Sequence, residues 1–360
     1  MRLAPSTLFL LLAFSTAAAA QSPGSGCDSA RTPREHMVCA DPKLAELDAR
    51  VSMAYKNLES FLSQPAADAV KADRQEWLQW LDKVCPPAGD KIHDAAGCLE
   101  QRYDEEANEL ANEPLHADGL VIYPRTHFVF VAGQPTPKEQ PAGNDPGYGD
   151  GAFEWPQIDN PTPAQQAWNA AILEATISGS GFGQKRPKTL GDTVDSGGYV
   201  DESYTISAAN KSFIDVQLES SSYGWGAAHP LTGNVSFSWW LSKGRALVAD
   251  DVFATNSGWH ETLVPLTLAK LQQDPGPEAL WQPGPYIGKN QLHDAIADGV
   301  AHPESWTVSS EGITITFGQY AVGPYSSGMP SAHFSWPELQ PMLASGFDPA
   351  ALPRSLEEAQ

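Results

Sequence analysis

The spacing of apolar residues divides the chain near residue 112. Before that point they recur every three or four positions, which is the period of a helix that buries one face. The first helix is predicted to begin after Asp41, whose carboxyl can cap it, with Pro42 at its first position. The pattern predicts three helices, and their apolar faces are Leu44, Leu47, Val51, Tyr55, Leu58 and Leu62; Val70, Trp77, Leu78, Leu81 and Val84; and Leu99, Tyr103 and Leu110.

After residue 118 apolar and polar residues alternate instead, which is the period of strands that bury one face. Strands and helices are interspersed there without a regular βαβ order, so we expect an α+β domain with a mostly antiparallel sheet behind the small helical domain. The segment 133–163 is rich in glycine and proline, which predicts a long surface loop. The predicted strands are 121–131, 214–218, 235–241 and 313–317, and the predicted helices are 163–177, 260–273, 291–298 and one that opens at Pro337.

All four cysteines lie in the helical third of the chain: Cys27, Cys39, Cys85 and Cys98. An even number in an exported protein indicates two disulfides, which would staple a helical domain with a thin core. In an antiparallel hairpin of the first two helices, Cys39 at the start of one meets Cys85 at the end of the other. That pairing leaves Cys27 for Cys98. A zinc site is disfavoured because no Cys-x-x-Cys pair occurs, and we expect neither a metal nor a cofactor.

The N-terminus has the pattern of a secretory signal peptide over residues 1–20. Arg2 precedes the apolar run 8–14, and three alanines then offer a cleavage site. This run is too short to span a bilayer as a helix, and no later segment is long enough either. We therefore expect a soluble protein without a membrane span, located in the periplasm or secreted. Lipidation of Cys27 is not expected, because Gly24 stands where a leucine-like residue would be required.

The charge of the chain narrows its possible partners. There are 44 Asp and Glu against 22 Lys and Arg, which gives a formal net charge of −22. A strongly acidic protein repels nucleic acid and anionic lipid and attracts basic partners at long range. We therefore expect no nucleic-acid partner, although an acidic composition also serves solubility alone.

The helical third carries a set of residues whose order and spacing are those of a known family: Thr32, Glu35, Cys39, Asp41, Leu44, Leu47, Asp48, Tyr55, Gln75, Trp77, Leu78, Asp82, Cys85, Cys98 and Tyr103. On these residues, segment 27–112 resembles the N-terminal domain of the LprI-type lysozyme-inhibitor family. The resemblance implies a disulfide-bonded helical domain with lysozyme as its ligand. Leu81 stands where this family usually has an arginine, so any partner contact of that arginine is expected to be absent.

The second part contains two further motifs, SSYGWGAAHP at 221–230 and the run from Gly312 to Gly328. With them, segment 119–345 resembles the C-terminal domain shared by the RsiV anti-sigma factor and the PdaC peptidoglycan deacetylase, which leaves 346–360 as a tail. Ala228 is an additional residue before the histidine and can reshape this loop. In the deacetylase, catalysis belongs to a separate domain that this chain lacks.

These motifs supply the candidate binding residues, which are Tyr223, Trp225, His229, Tyr320 and Tyr325. A catalytic role for the histidine is disfavoured because the chain lacks the zinc motif His-Glu-x-x-His and the nucleophile motif Gly-x-Ser-x-Gly. The glycines let the backbone turn tightly, so the aromatics can act either as anchors for a partner or as packing within the core. Both interpretations stay open at this point.

Two classes of function follow. The first is a noncatalytic protein of the cell envelope that binds lysozyme, or another basic protein that attacks the envelope, and can inhibit it. Both resemblances include a lysozyme-binding member, and the acidic charge would steer a basic ligand. The second is an enzyme or accessory protein that acts on peptidoglycan. No pair of catalytic carboxylates can be selected among 44 acidic residues, and we favour a protein that is not an enzyme.

Overall fold

The computed structural model describes residue 27 and residues 30–86, 94–110, 114–133, 147–179, 188–194, 197–284 and 287–356. The predicted signal peptide lies outside these ranges, as do residues 111–113 of the predicted break between the two parts at 111–114. None of the described helices is long and apolar enough to cross a bilayer.

The first part of the chain is helical, as predicted. Its helices are α1 (Pro33–Ala40), α2 (Pro42–Phe61), α3 (Gln64–Val84) and α4 (Ala95–Glu109). Asp41 caps α2, because its carboxylate accepts hydrogen bonds from the amides of Lys43 and Leu44. The predicted face of α2 is buried except for Leu62, which lies just after the helix. Helix α1 was not among the predicted helices. It begins with a capping box formed by Thr32 and Glu35.

The predicted pairing of the cysteines is wrong, because the disulfides join Cys27 to Cys39 and Cys85 to Cys98. Each bridge is local, with separations of 12 and 13 residues and Cα–Cα distances of 5.6 and 5.7 Å. Cys39 lies in α1, which the hairpin argument left out, and it pairs with the segment that leads into that helix. Cys85 follows α3 directly and meets Cys98 in the first turn of α4.

The second part is built on a seven-stranded sheet in the order β1-β2-β3-β4-β5-β6-β7 and a three-stranded sheet in the order β10-β9-β8. Every pair of neighbours is antiparallel except β3 and β4, so the predicted fold class is confirmed. The strands are β1 (Leu115–Ala117), β2 (Leu120–Ala132), β3 (Tyr148–Ile158), β4 (Gly198–Ala209), β5 (Phe213–Gly224), β6 (Leu231–Trp240), β7 (Arg245–Ala246), β8 (Trp306–Val308), β9 (Gly312–Thr316) and β10 (Ser331–Ser335).

The predicted surface loop at 133–163 is wrong over residues 148–158, which form β3 between β2 and β4; residues 134–146 lie outside the described ranges. Glycine and proline are uncommon in strands, so the residue pattern of this segment does not predict β3. Gly151 serves close packing, since a Cβ there would lie 2.7 Å from side-chain atoms of Phe153 and Val194. Phe153 and Trp155 are buried on the face that this packing creates.

In the described part of the chain, five α-helices accompany the strands: α5 (Pro163–Gly179), α6 (Ala249–Val252), α7 (Trp259–Leu271), α8 (Gln291–Ala301) and α9 (Trp336–Leu339). The helices predicted at 163–177, 260–273, 291–298 and Pro337 are confirmed. Helix α5 covers one face of the large sheet and buries Trp168 and Ile172 completely. A separate core around Trp306 joins α7, α8 and the small sheet.

The segment predicted as a tail packs against the fold as far as residue 356. Leu352 belongs to the second core, and Ser355 forms a bridge with Ala208 on β4. The amide of Leu356 donates to the carbonyl of Ser207 over 2.8 Å.

The helical part lies directly against the large sheet. Arg125 on β2 makes a two-pronged ion pair with the buried Asp73 on α3, with N–O distances of 2.6 and 2.9 Å. The rings of Trp80 and Phe128 pack with centroids 5.2 Å apart. An ion pair and an aromatic contact therefore hold α3 against β2.

Candidate binding site

The five predicted site residues gather at one end of the large sheet, around the turn that joins β5 to β6. Gly226 in this turn has a φ of +89°, a conformation that glycine adopts without strain. The loop between β9 and β10 reaches the same place, because the side-chain oxygen of Gln319 accepts a hydrogen bond from the amide of Thr232 at 2.9 Å. Together with Tyr199, which the sequence analysis does not single out, they form two groups that differ in how the fold holds them.

The first group, which we call the anchored group, consists of Tyr199, Tyr223 and Trp225. Their ring centroids are 5.8 to 5.9 Å apart. The indole N–H of Trp225 donates to the carbonyl of Tyr148 over 2.7 Å, and the Tyr223 hydroxyl donates to the carbonyl of Ala227 over 2.9 Å. Both polar ends are thus turned back onto the protein, so these part-buried rings hold the turn in place.

The second group, which we call the exposed group, consists of His229, Tyr320 and Tyr325. The two tyrosines are 41% and 36% exposed. The imidazole stacks on Tyr325 with ring centroids 3.8 Å apart. Its Nδ1 lies 3.0 Å from the carbonyl of Pro230, which can only accept, so the neutral ring donates there and its Nε2 accepts from the Tyr320 hydroxyl at 3.1 Å.

Tyr320 has a φ of +65°, which is uncommon for any residue other than glycine. Its carbonyl accepts a hydrogen bond from the indole N–H of Trp281 at 3.0 Å, and this contact helps to hold that backbone. The exposed group is therefore fixed in place before any partner arrives, which reduces the entropy lost on binding.

An acid-lined cleft of about 470 Å³ opens on the polar face of the same sheet. Its floor comes from β2 to β6, α4 forms one wall, and Thr232 and Met329 stand at the end nearest the exposed group. Among its lining residues, one cation stands against six carboxyls; they are Arg102, Glu105, Glu109, Glu154, Asp201, Glu202 and Glu219.

The enclosed position of three of these carboxyls disfavours their charged forms. Burial raises the pKa of Glu154 to about 8, that of Glu109 to about 7 and that of Asp201 to about 6. Neighbouring carboxylates raise the first two further, and Arg102 opposes the rise at the last two.

Sequence reasoning missed Tyr199, Gln319 and the whole cleft. Tyr199 lies directly opposite Tyr223 in the pairing of β4 with β5, which only the register reveals. The cleft collects residues from α4 and from five strands, so no single stretch of sequence contains its signal. Within the described ranges, no group of three or more His, Cys, Asp or Glu side chains is arranged to hold a metal ion.

The helical part decides the relationship to known proteins, because residues 27–110 match the family described as "Lysozyme inhibitor LprI". The N-terminal part of the chain resembles a lysozyme inhibitor. Residues 250–337 match a second family, described as "Protein of unknown function (DUF3298)". They lie within the stretch for which the second resemblance was predicted. No curated protein matches the chain.

Solved structures that are similar to the chain include two proteins of the DUF3298 family. A member of the DUF3298 family from Bacteroides fragilis NCTC 9343 has 16% identity and a TM-score of 0.44, with 64% of this chain and 96% of that chain covered. A DUF3298 family protein from Pseudomonas aeruginosa PAO1 has 12% identity and a TM-score of 0.41, with 63% and 96% covered. Both likenesses are too loose to bear on function.

The departure at Leu81 from the usual LprI pattern has a structural consequence. This side chain is fully buried in the helical core. Its neighbour Asp82 accepts a hydrogen bond from Nε of Arg34 at 2.9 Å, and Arg34 also donates to the Tyr103 hydroxyl. Position 81 therefore contributes packing in this protein and presents nothing to a partner.

Proposed function

We propose that the protein is exported to the periplasm or the medium and there binds and inhibits lysozyme without catalysing a reaction of its own. The observation that carries this proposal is the match of residues 27–110 to the lysozyme inhibitor LprI family. The helical fold and the two disulfides of this part support it, because disulfides form and persist in oxidising compartments outside the cytoplasm.

Charge gives the proposal a mechanism for the encounter. The chain carries a formal net charge of −22, and lysozymes of animal type are strongly basic. Opposite net charges accelerate association and lose their effect as salt screens them. Salt should therefore slow association more than it speeds dissociation.

The exposed group supplies the contact that we assign to the bound state. Aromatic side chains held in fixed positions carry most of the binding energy at many interfaces. His229 stacks on both Tyr320 and Tyr325 at the surface, and the two tyrosines are each more than a third exposed. The anchored group would then contribute by supporting this surface from beneath.

A lysozyme activity assay tests the function itself. Purified mature protein is added to hen-type lysozyme that is clearing a suspension of bacterial cell walls, at low and at high salt. We expect clearing to slow in proportion to the added protein, and more strongly at low salt. Unchanged clearing, together with no binding to any class of lysozyme at low salt, would contradict the proposal. Retention on purified peptidoglycan would then favour the accessory role on that polymer.

A further inference from the structure

The acid-lined cleft is assembled from both parts of the chain. Its wall, α4, lies within the segment that matches the lysozyme inhibitor family. Its floor belongs to the large sheet, and Met329 comes from the segment that matches DUF3298. Most of the floor lies between the two matched segments, so the cleft exists only where the helical part meets the large sheet.

The cation in the cleft is not free to pair with every carboxyl around it. Arg102 donates to Glu105 at 3.1 Å, lies 3.7 Å from Asp150 and packs over the ring of Trp80. Its guanidinium is thus engaged at one side of the cleft. The other five carboxyls are spread over α4 and over β3, β4 and β5, and no second Lys or Arg stands among the lining residues beside them.

Glu154 is the side chain that identifies the kind of ligand. It lies on the floor, and protein surrounds it except where the cleft opens. Within the described residues, no hydrogen bond or ion pair reaches its carboxyl. Its cross-strand neighbour Thr126 has a buried hydroxyl that also lacks a hydrogen-bond partner there. An enclosed carboxyl without a partner favours its neutral form, and a cationic guest that donates hydrogen bonds would stabilise the carboxylate instead.

The size and arrangement of the cleft favour an organic cation over a metal ion. Its volume of about 470 Å³ is in the range of sites for small organic molecules. The described acidic side chains are not grouped in the manner of metal ligands. A guanidinium or a primary ammonium instead carries several N–H donors that can reach carboxyls spread over neighbouring strands.

We propose that this cleft binds a guanidinium or primary ammonium group, with Glu154 and Asp201 as its hydrogen-bond acceptors. The source to which we commit is an arginine or lysine side chain of a basic protein partner, and this part rests on the proposed function. The cleft ends at Thr232, whose amide is tied to Gln319 beside Tyr320. A protein seated on the exposed group can therefore extend one basic side chain into the cleft.

The first experiment tests the cleft without lysozyme. Arginine ethyl ester is titrated into the full mature protein at constant ionic strength, and binding is followed by calorimetry and by NMR. Glu154→Gln and Asp201→Asn keep the shape of the side chains and replace a carboxyl that can ionise beside a bound cation with an amide that cannot. Glu304→Gln makes the same replacement at an exposed site elsewhere. We expect affinity to fall about tenfold or more in the two cleft variants and to stay unchanged in the control.

Two results would overturn the site: no saturable binding by the wild-type protein, or equal binding by the wild-type protein and Glu154→Gln. A competition experiment then tests the source. Arginine ethyl ester should displace bound lysozyme, and Glu154→Gln should weaken lysozyme binding. If the ester binds in the cleft but lysozyme binds without competition, a protein side chain is excluded and a free cation remains as the guest. If lysozyme does not bind at all, the proposed function fails while the ester titration still decides the cleft.

Discussion

The anchored and the exposed aromatic groups lie side by side at one end of the sheet, yet the fold uses them differently. Trp225 and Tyr223 direct their polar atoms onto backbone carbonyls of the protein. Tyr320 and Tyr325 stack around His229 and leave more than a third of each side chain in solvent. The comparison teaches that an aromatic residue in a glycine-rich loop is available to a partner only where its contacts hold it at the surface.

The largest expected effect is a loss of folding stability when an aromatic side chain of the anchored group is removed. Trp225→Ala removes the hydrogen bond to Tyr148 and the ring contacts with Tyr199 and Tyr223. We expect the free energy of unfolding to fall by about 3 kcal/mol, since a large aromatic is deleted from a packed group. Thermal unfolding of the variant measures this loss. A fully stable variant with much weaker lysozyme binding would show that Trp225 is an anchor for the partner instead.

The second effect is a dependence of folding stability on pH. It comes from buried carboxyls where the helical part meets the sheet. Burial raises the pKa of Glu106 on α4 and of Glu154 on β3 to about 8. The folded protein therefore holds protons that the unfolded chain releases from about pH 4.5 upward. Their contribution to stability is complete below that pH and is lost as the pH rises through about 8.

Thermal unfolding at a series of pH values checks this sign. The melting temperature should fall between about pH 5 and about pH 8, and Glu154→Gln should flatten part of that slope. Glu304→Gln serves as the control, because its carboxyl is exposed. A melting temperature that rises over this interval, or an unchanged slope in Glu154→Gln, would contradict the assignment of enclosed protonated carboxyls.

The smallest expected effect lies within the exposed group. Tyr320→Phe keeps the ring and removes the hydroxyl that donates to His229. One hydrogen bond of this kind contributes about 1 kcal/mol, so lysozyme should dissociate several times faster while the melting temperature changes little. Tyr320→Ala is a poorer test, because the positive φ at this position adds backbone strain. Equal dissociation rates for the wild-type protein and Tyr320→Phe would remove this hydroxyl from the binding surface.

The helices could be predicted because their signal is local. Asp41 and Pro42 mark the start of α2, and the apolar residues that follow fall on one buried face. The cysteine pairing could not be predicted in the same way. It depends on α1, whose few apolar residues give no clear period, and on which of four neighbouring cysteines the chain brings into contact.

The sheet has features that sequence patterns do not predict, namely strand β3 and the pairing of the strands. In β5 apolar residues alternate with polar ones, as expected of a strand, but β3 contains Gly149, Gly151 and Pro156, which predict a loop. Its partner β4 pairs with it in parallel, and no turn signal connects the two. The cleft depends on these pairings, because Thr126, Glu154 and Asp201 meet only through register. The sequence predicts the residues of the exposed group, but it does not predict the hydrogen bonds that hold them in place.

The most direct test of the account is surface plasmon resonance with hen-type lysozyme at low salt, in which Tyr325→Ala is compared with Met53→Ala. Both side chains are exposed, but Met53 lies on α2, away from the exposed group. The account predicts that Tyr325→Ala speeds dissociation by about tenfold or more, with an unchanged melting temperature, while Met53→Ala behaves as the wild-type protein. Equal dissociation of lysozyme from all three proteins, or no binding by any of them, would contradict it.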